Sequence, residues 1–133
     1  MATVEGNIHA ALMARVATLP GFALFWPEQG QTRPTTEHVE VRHLPNRPAR
    51  QGLSGGTVLE RRGFILLALV SELGAFDAVY RERAGQIAEH FPRDFWMTSE
   101  GVRMRVHAVE VSRGFEDSGM WRTPVSVDYR GFA

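Results

Sequence analysis

The stretch "TVLERRGFILLALVSE", Thr57–Glu72, decides how the rest of the chain must be arranged. Its first part alternates polar and apolar residues. Its second part, Phe64 to Val70, is apolar at every position. Side chains of a strand alternate between two faces, so an unbroken apolar run means that neither face meets bulk water. The run is too short for a buried helix and fits a strand. A long central strand is therefore predicted from Thr57 to Ser71. It is covered on both sides, or packed on helices on one side and on a neighbouring molecule on the other.

On the N-terminal side lies "NRPARQGLSGG", Asn46–Gly56, polar, glycine-rich and studded with arginine. Before it, "HVEVRHL", His38–Leu44, alternates again. Val39 and Val41 face one way, Glu40 and Arg42 the other, and Pro45 stops the strand. The order strand, loop, strand makes a hairpin whose flexible loop, residues 46–56, is a long arm. A phosphate cradle is the competing reading. A Walker A loop needs a lysine and a following helix, and a dinucleotide fingerprint needs a helix after its glycines. The chain contains no lysine, and its glycines run into a strand. The arm is the better reading.

Further out, "NIHAALMARVATL", residues 7–19, spaces Ile8, Ala11, Leu12, Val16 and Leu19 along one helical stripe. Asn7 is a candidate cap, and Pro20–Gly21 ends the helix. Phe22, Phe25 and Trp26 are expected to seal one end of the core. A second helix is predicted over residues 75–91, with Phe76, Val79, Tyr80, Ala84, Ile87 and Phe91 on its apolar side and Pro92 beyond its end. Three more strands follow: a short one at 95–98, one at 102–113 and the last at "MWRTPVSVDYRG". In the second of these Val102, Met104, Val106 and Ala108 are expected on one face. In the last, Val125, Val127 and Tyr129 point inward. The order α-β-β-α-β-β-β predicts an α+β fold, two helices on one face of a mostly antiparallel sheet, as a single domain over residues 1–133.

The 133 residues carry no cysteine, which excludes disulfides, zinc–thiolate sites and cysteine nucleophiles. No apolar run approaches a membrane span, and the opening residues lack the basic start and apolar block of a secretory leader. A cytoplasmic site of folding and no membrane partner are expected. The formal net charge is +0, so bulk attraction to nucleic acid is not indicated. All 15 basic residues are arginine. A GC-rich genome accounts for this, and guanidinium forks also suit subunit interfaces.

Candidate chemistry is sparse. His9, His38, His43, His90 and His107 fall on different elements with no HxxxH or HxH spacing, so no metal is expected. Ser54 in "GLSGG" lacks the strand–turn–helix context of a nucleophile elbow. No pair of carboxylates clusters. No cofactor and no enzymatic activity are predicted. Arg103, Arg105 and Arg113, with Arg47, Arg50, Arg61 and Arg62 around the loop, have three readings: a solvated face, a subunit contact or a phosphate contact.

The segments "ALMARVATLPG", "FWPEQG", "HVEVRHLPNRPARQGL", "LERRGFILLALV", "IAEHFPRD" and the closing "GMWRTPVSVDYRG" together resemble one family. It is that of the small tail terminator, or tail-completion, proteins of long-tailed phages and gene transfer particles. The resemblance implies a structural virion protein in the tail of a phage or phage-like particle, assembled in the host cytoplasm. It implies a ring, typically a homohexamer, that caps the head-proximal end of the tail tube and stops the tube protein polymerising. That ring offers the head–tail connector (stopper) protein an attachment surface, and DNA passes through its lumen without sequence recognition. The expected subunit or tube interface is Arg47, Arg50, Leu53, Arg61, Arg62 and Trp121. Another adaptor of the head–tail neck, or a small cytosolic enzyme or ligand-binding domain, is the alternative.

Overall fold

The computed structural model describes residues 3–45, 49–50 and 59–132. It is an α+β fold. Helix α1 (Val4–Ala17) is followed by strands β1 (Leu24–Phe25), β2 (His38–Pro45), β3 (Ala49–Arg50) and β4 (Leu59–Glu72). Helix α2 (Asp77–Glu89) comes next, then β5 (Trp96–Ser99), β6 (Val102–Val111), β7 (Phe115–Asp117) and β8 (Met120–Phe132). The sheet runs β1-β2-β4-β8-β6-β5, with β3 beside β4 and β7 beside β8. Every pairing is antiparallel except that of β1 with β2. The short β1, β3 and β7 are additions to the expected order, and two or three residues of strand carry too little pattern to be read from sequence.

The predicted central strand is β4, which is hydrogen-bonded to β2 on one side and β8 on the other. Its odd-numbered residues Ile65, Leu67 and Leu69 join Val39, Val41, Val125, Val127, Tyr129, Met104 and Val106 in one buried layer. Ile8, Leu12 and Val16 of α1 and Ala84 and Ile87 of α2 pack on this same layer. The even-numbered residues point to the far face. There Ala68 and Val70 are buried, but Phe64 is 43% exposed. Of the two ways to explain the apolar run, the described residues show helices on one side and a partly uncovered face on the other.

Several local expectations are corrected. Helix α1 starts earlier than Asn7: Thr3 is the cap, its hydroxyl accepting from the Gly6 N–H at 3.0 Å. A threonine cap satisfies one of the free first-turn donors, which is why the helix extends back through a glycine. Phe76 precedes α2 rather than lining it and is 85% exposed, and Val79 is also exposed. The apolar side of α2 is narrower than its sequence suggests, because only Tyr80, Ala84 and Ile87 are buried, with Ala88 packed partly against the core. On β6, Ala108 leaves the face of Val102, Met104 and Val106. A register shift between Val106 and Ala108 turns the strand over, and Val109 and Val111 pack on the core instead. The turn expected at Glu116–Gly119 is tighter, with Ser118 and Gly119 at φ 53° and 80° closing a β7–β8 hairpin.

Candidate functional site

The expected interface residues separate. Arg47 and Leu53 lie outside the described residues. The backbone of Arg50 sits on β3, opposite Leu59. Arg61 and Arg62 are consecutive on β4, so they project from opposite faces. Arg61 turns toward the helices and pairs with Glu5 of α1, its side chain mostly covered. Arg62 stands on the far face, its guanidinium 4.0 Å from Glu60. Trp121 is partly buried and stacks on Tyr80 of α2, with ring centroids 5.5 Å apart. Of Arg61, Arg62 and Trp121, Arg62 is the exposed one.

The far face carries two features that the sequence did not single out. The first is a row of like charges. Register aligns Arg62 of β4 with Arg130 of β8, and Arg130 with Arg105 of β6. The row ends on Trp96 of β5, opposite Arg105. Like charges directly across a sheet repel, so this row costs stability in the isolated chain. Carboxylates answer it loosely, Asp94 at 3.6 Å from Arg105 and Asp128 at 4.0 Å from Arg130. The Arg103 guanidinium lies 4.4 Å from the centre of the Trp96 ring. Trp96, Arg103, Arg105 and Arg130, with Glu60, His107 and Gly131, line a groove of about 390 Å³. Next to it the cross-strand row Leu44–Phe64–Asp128–Ala108 is apolar except for Asp128. Aromatic and arginine side chains around an apolar centre are the composition of a protein-binding surface.

The second feature is Glu40, 2% exposed although its side chain is on the far face. Arg42 donates to its Oε1 through Nε and Nη2, at 3.0 and 2.8 Å. Arg122 donates to Oε2 at 3.1 Å, and Arg33 lies 3.6 Å away. Burial pushes the Glu40 carboxyl up, but the bonds from Arg42 and Arg122 and the nearby charges of Arg122 and Arg33 outweigh it. The net result is a pKa below the ordinary 4.5. The group is an ionised anchor for three arginines drawn from β2, β8 and the segment before β2.

The histidines meet in one place only. His43 Nδ1 lies 2.8 Å from His9 Nδ1, and its Nε2 lies 2.7 Å from the Tyr129 hydroxyl. Burial, with His9 adding to it, lowers the pKa of His43 to about 4. Burial, together with the charges of Glu5 and Asp128, raises that of Tyr129 to about 12. At neutral pH both are therefore uncharged, and a single proton on His43 serves one neighbour while its other nitrogen accepts. A phenol held this far from ionisation is a poor nucleophile, and the chain His9–His43–Tyr129 ties α1 to β2 and β8. Among the described residues no three His, Asp or Glu side chains converge as metal ligands. No described helix is long and apolar enough to cross a membrane.

The fold and its surface define an α+β protein whose exposed sheet face carries Leu44, Phe64 and Trp96 beside a row of arginines. A family model described as phage tail terminator protein matches residues 7–129, and the chain belongs to that family. It is a structural protein of a phage tail. A solved structure 20% identical in sequence superposes with a TM-score of 0.71, over 92% of this chain and 92% of that one, and shares the fold. The sequence matches no curated protein.

Proposed function

We propose that this chain forms a closed homohexameric ring on the head-proximal end of the tail tube. There it ends polymerisation of the tube protein and presents the surface to which the head–tail connector attaches. The family match over residues 7–129 carries this reading. The uncovered sheet face supports it, because exposed Phe64, Leu44 and Trp96 are costly to leave in water and, with the arginine row beside them, suit a protein partner. The ring is heterologous, each copy using two different surfaces, and it closes rather than propagating. DNA passes through the lumen. The formal net charge of +0 favours loose passage over tight phosphate binding.

The test combines the purified chain with the tail-tube protein of the same particle. Light scattering and negative-stain electron microscopy should show tubes of arrested length, each with one ring at one end. Tubes that keep growing, with no added density at either end, would refute the reading. Deletion of residues 47–55 should abolish capping while leaving the monomer's melting temperature within a few degrees.

A further inference from the structure

The geometry points to a specific joint between copies: the open edge of β2 pairs with the open edge of β6 of the next copy, antiparallel, with Arg42 opposite Glu110. This deepens the ring proposed above and rests on it.

The two edges of the sheet are each only half covered. Strand β1 pairs with β2 at Val39 and Glu40 alone. Strand β5 pairs with β6 only from Val102 to Arg105. Among the described residues no strand lies beside β2 from Val41 to Pro45, or beside β6 from Ala108 to Val111. An open edge of this kind is a template for a further strand.

The two openings are at the same height. Following the register across the sheet, Val41 aligns with Leu67, Val125 and Val111, and His43 aligns with Ile65, Val127 and Val109. The cover on β2 lies below these rows and the cover on β6 lies above them. A second copy turned about an axis along the strands therefore brings one opening to the other without a sideways shift.

Three further properties match. First, hydrogen-bonding phase: the Val39 N–H turns away from β4 to the Ala23 carbonyl, so by alternation Val41 and His43 also direct their backbone outward. On β6 the Ser112 N–H turns inward to the Pro124 carbonyl, so Val111 and Val109 are the outward residues. Second, facing: all four of these side chains lie on the helix-bearing side, so the joined sheets keep their helices on one surface. Third, direction: β2 is antiparallel to β4, β4 to β8 and β8 to β6, so β6 runs antiparallel to β2. Rotation about the ring axis preserves that relation between neighbours.

Charge then selects the partner. Between the outward rows lies the row Arg42–Leu66–Ser126–Glu110 on the far face. One end of it is an arginine and the other a glutamate, both exposed. In the joint they become a cross-strand pair of opposite sign. Pro45, lacking an N–H, stops the pairing.

The chain has no cysteine, so introduced cysteines report the joint cleanly. Two double variants are made, Leu44→Cys with Ala108→Cys and Arg42→Cys with Glu110→Cys. Within one chain each pair is three strand spacings apart, roughly 14 Å, too far for a disulfide, whereas residues opposite each other across the joint are within reach. On mild oxidation with the tail-tube protein, each should give a ladder of covalent multimers ending at the closed ring, and single-cysteine variants no more than dimers. The Leu44/Ala108 pair removes no ion pair, so it remains informative if loss of Arg42 harms the Glu40 cluster. Rings visible by microscopy with neither pair cross-linked would overturn the joint and leave the ring standing. Absence of rings from the unmodified chain, run alongside, would overturn both.

Discussion

The hydroxyl of Tyr129 lies directly over Gly63, its cross-strand partner, where an added Cβ would stand 2.7 Å from it. The same Cβ would stand 2.7 Å from the Leu44 carbonyl oxygen and 2.9 Å from the Pro45 Cα. Backbone cannot yield as a flexible side chain can. Gly63→Ala should therefore destabilise the chain by about 1–3 kcal/mol, read from urea unfolding midpoints. An unchanged midpoint would mean that Tyr129 does not cross the glycine.

The neutral His43 makes stability depend on pH. Its pKa falls from the ordinary 6.5 to about 4 in the folded chain, so between these values the unfolded state binds the extra proton. Stability should be fully present above pH 6.5 and decline as pH falls toward 4. The loss is on the order of 1–2 kcal/mol once partial exposure is discounted. Burial lowers His90 in the same direction, opposed by its bond to the Arg15 carbonyl and helped by the Arg15 charge, so the wild-type slope contains both. The difference between wild type and His43→Gln, from denaturation curves at pH 7, 6, 5 and 4.5, isolates His43.

Glu40 acts at lower pH and in the same direction as His43, because its folded pKa is also depressed. Its contribution is present above pH 4.5 and is lost as pH drops through the lower folded value. Glu40→Gln leaves three arginines facing a neutral group and should cost roughly 2–4 kcal/mol at pH 7. Arg122, the most covered of the three, should be the most costly arginine to remove, ahead of Arg42 and Arg33. Thermal unfolding of the four variants at pH 7 checks the order.

Two residues of β4 separate core from surface. Leu67→Asp places an unpaired charge at a fully buried site and should abolish folding, seen as loss of the cooperative unfolding transition. Phe64→Asp, on the far face, should shift monomer stability by no more than about 1 kcal/mol and impair capping of the tail tube. Equal damage from both to the monomer would show that the far face is already covered within the chain.

Much of the scaffold was legible. The apolar run from Phe64 to Val70 marked the central strand, and the alternation around Val125, Val127 and Tyr129 marked the inward face of the last one. The site was less so. Arg61 and Arg62 read as a pair, but strand geometry sends one to Glu5 under the helices and leaves the other on the open face. Trp121 reads as an interface residue, and its stacking on Tyr80, far off in the chain, has no trace in the local pattern. The row Arg62–Arg130–Arg105 has no signature at all, because three arginines far apart in sequence meet only through register.

Periodicity belongs to the local backbone: a strand shows two faces and a helix one stripe whatever they pack against, so element type, the buried layer and the α+β class could be read one residue at a time. Register belongs to pairs. Which residue stands beside which depends on the β6 irregularity near His107, on where β1 and β5 stop, and on the Gly63–Tyr129 crossing. Those are set when distant strands dock, and they alone bring Arg42 and Glu110 to the two ends of one row.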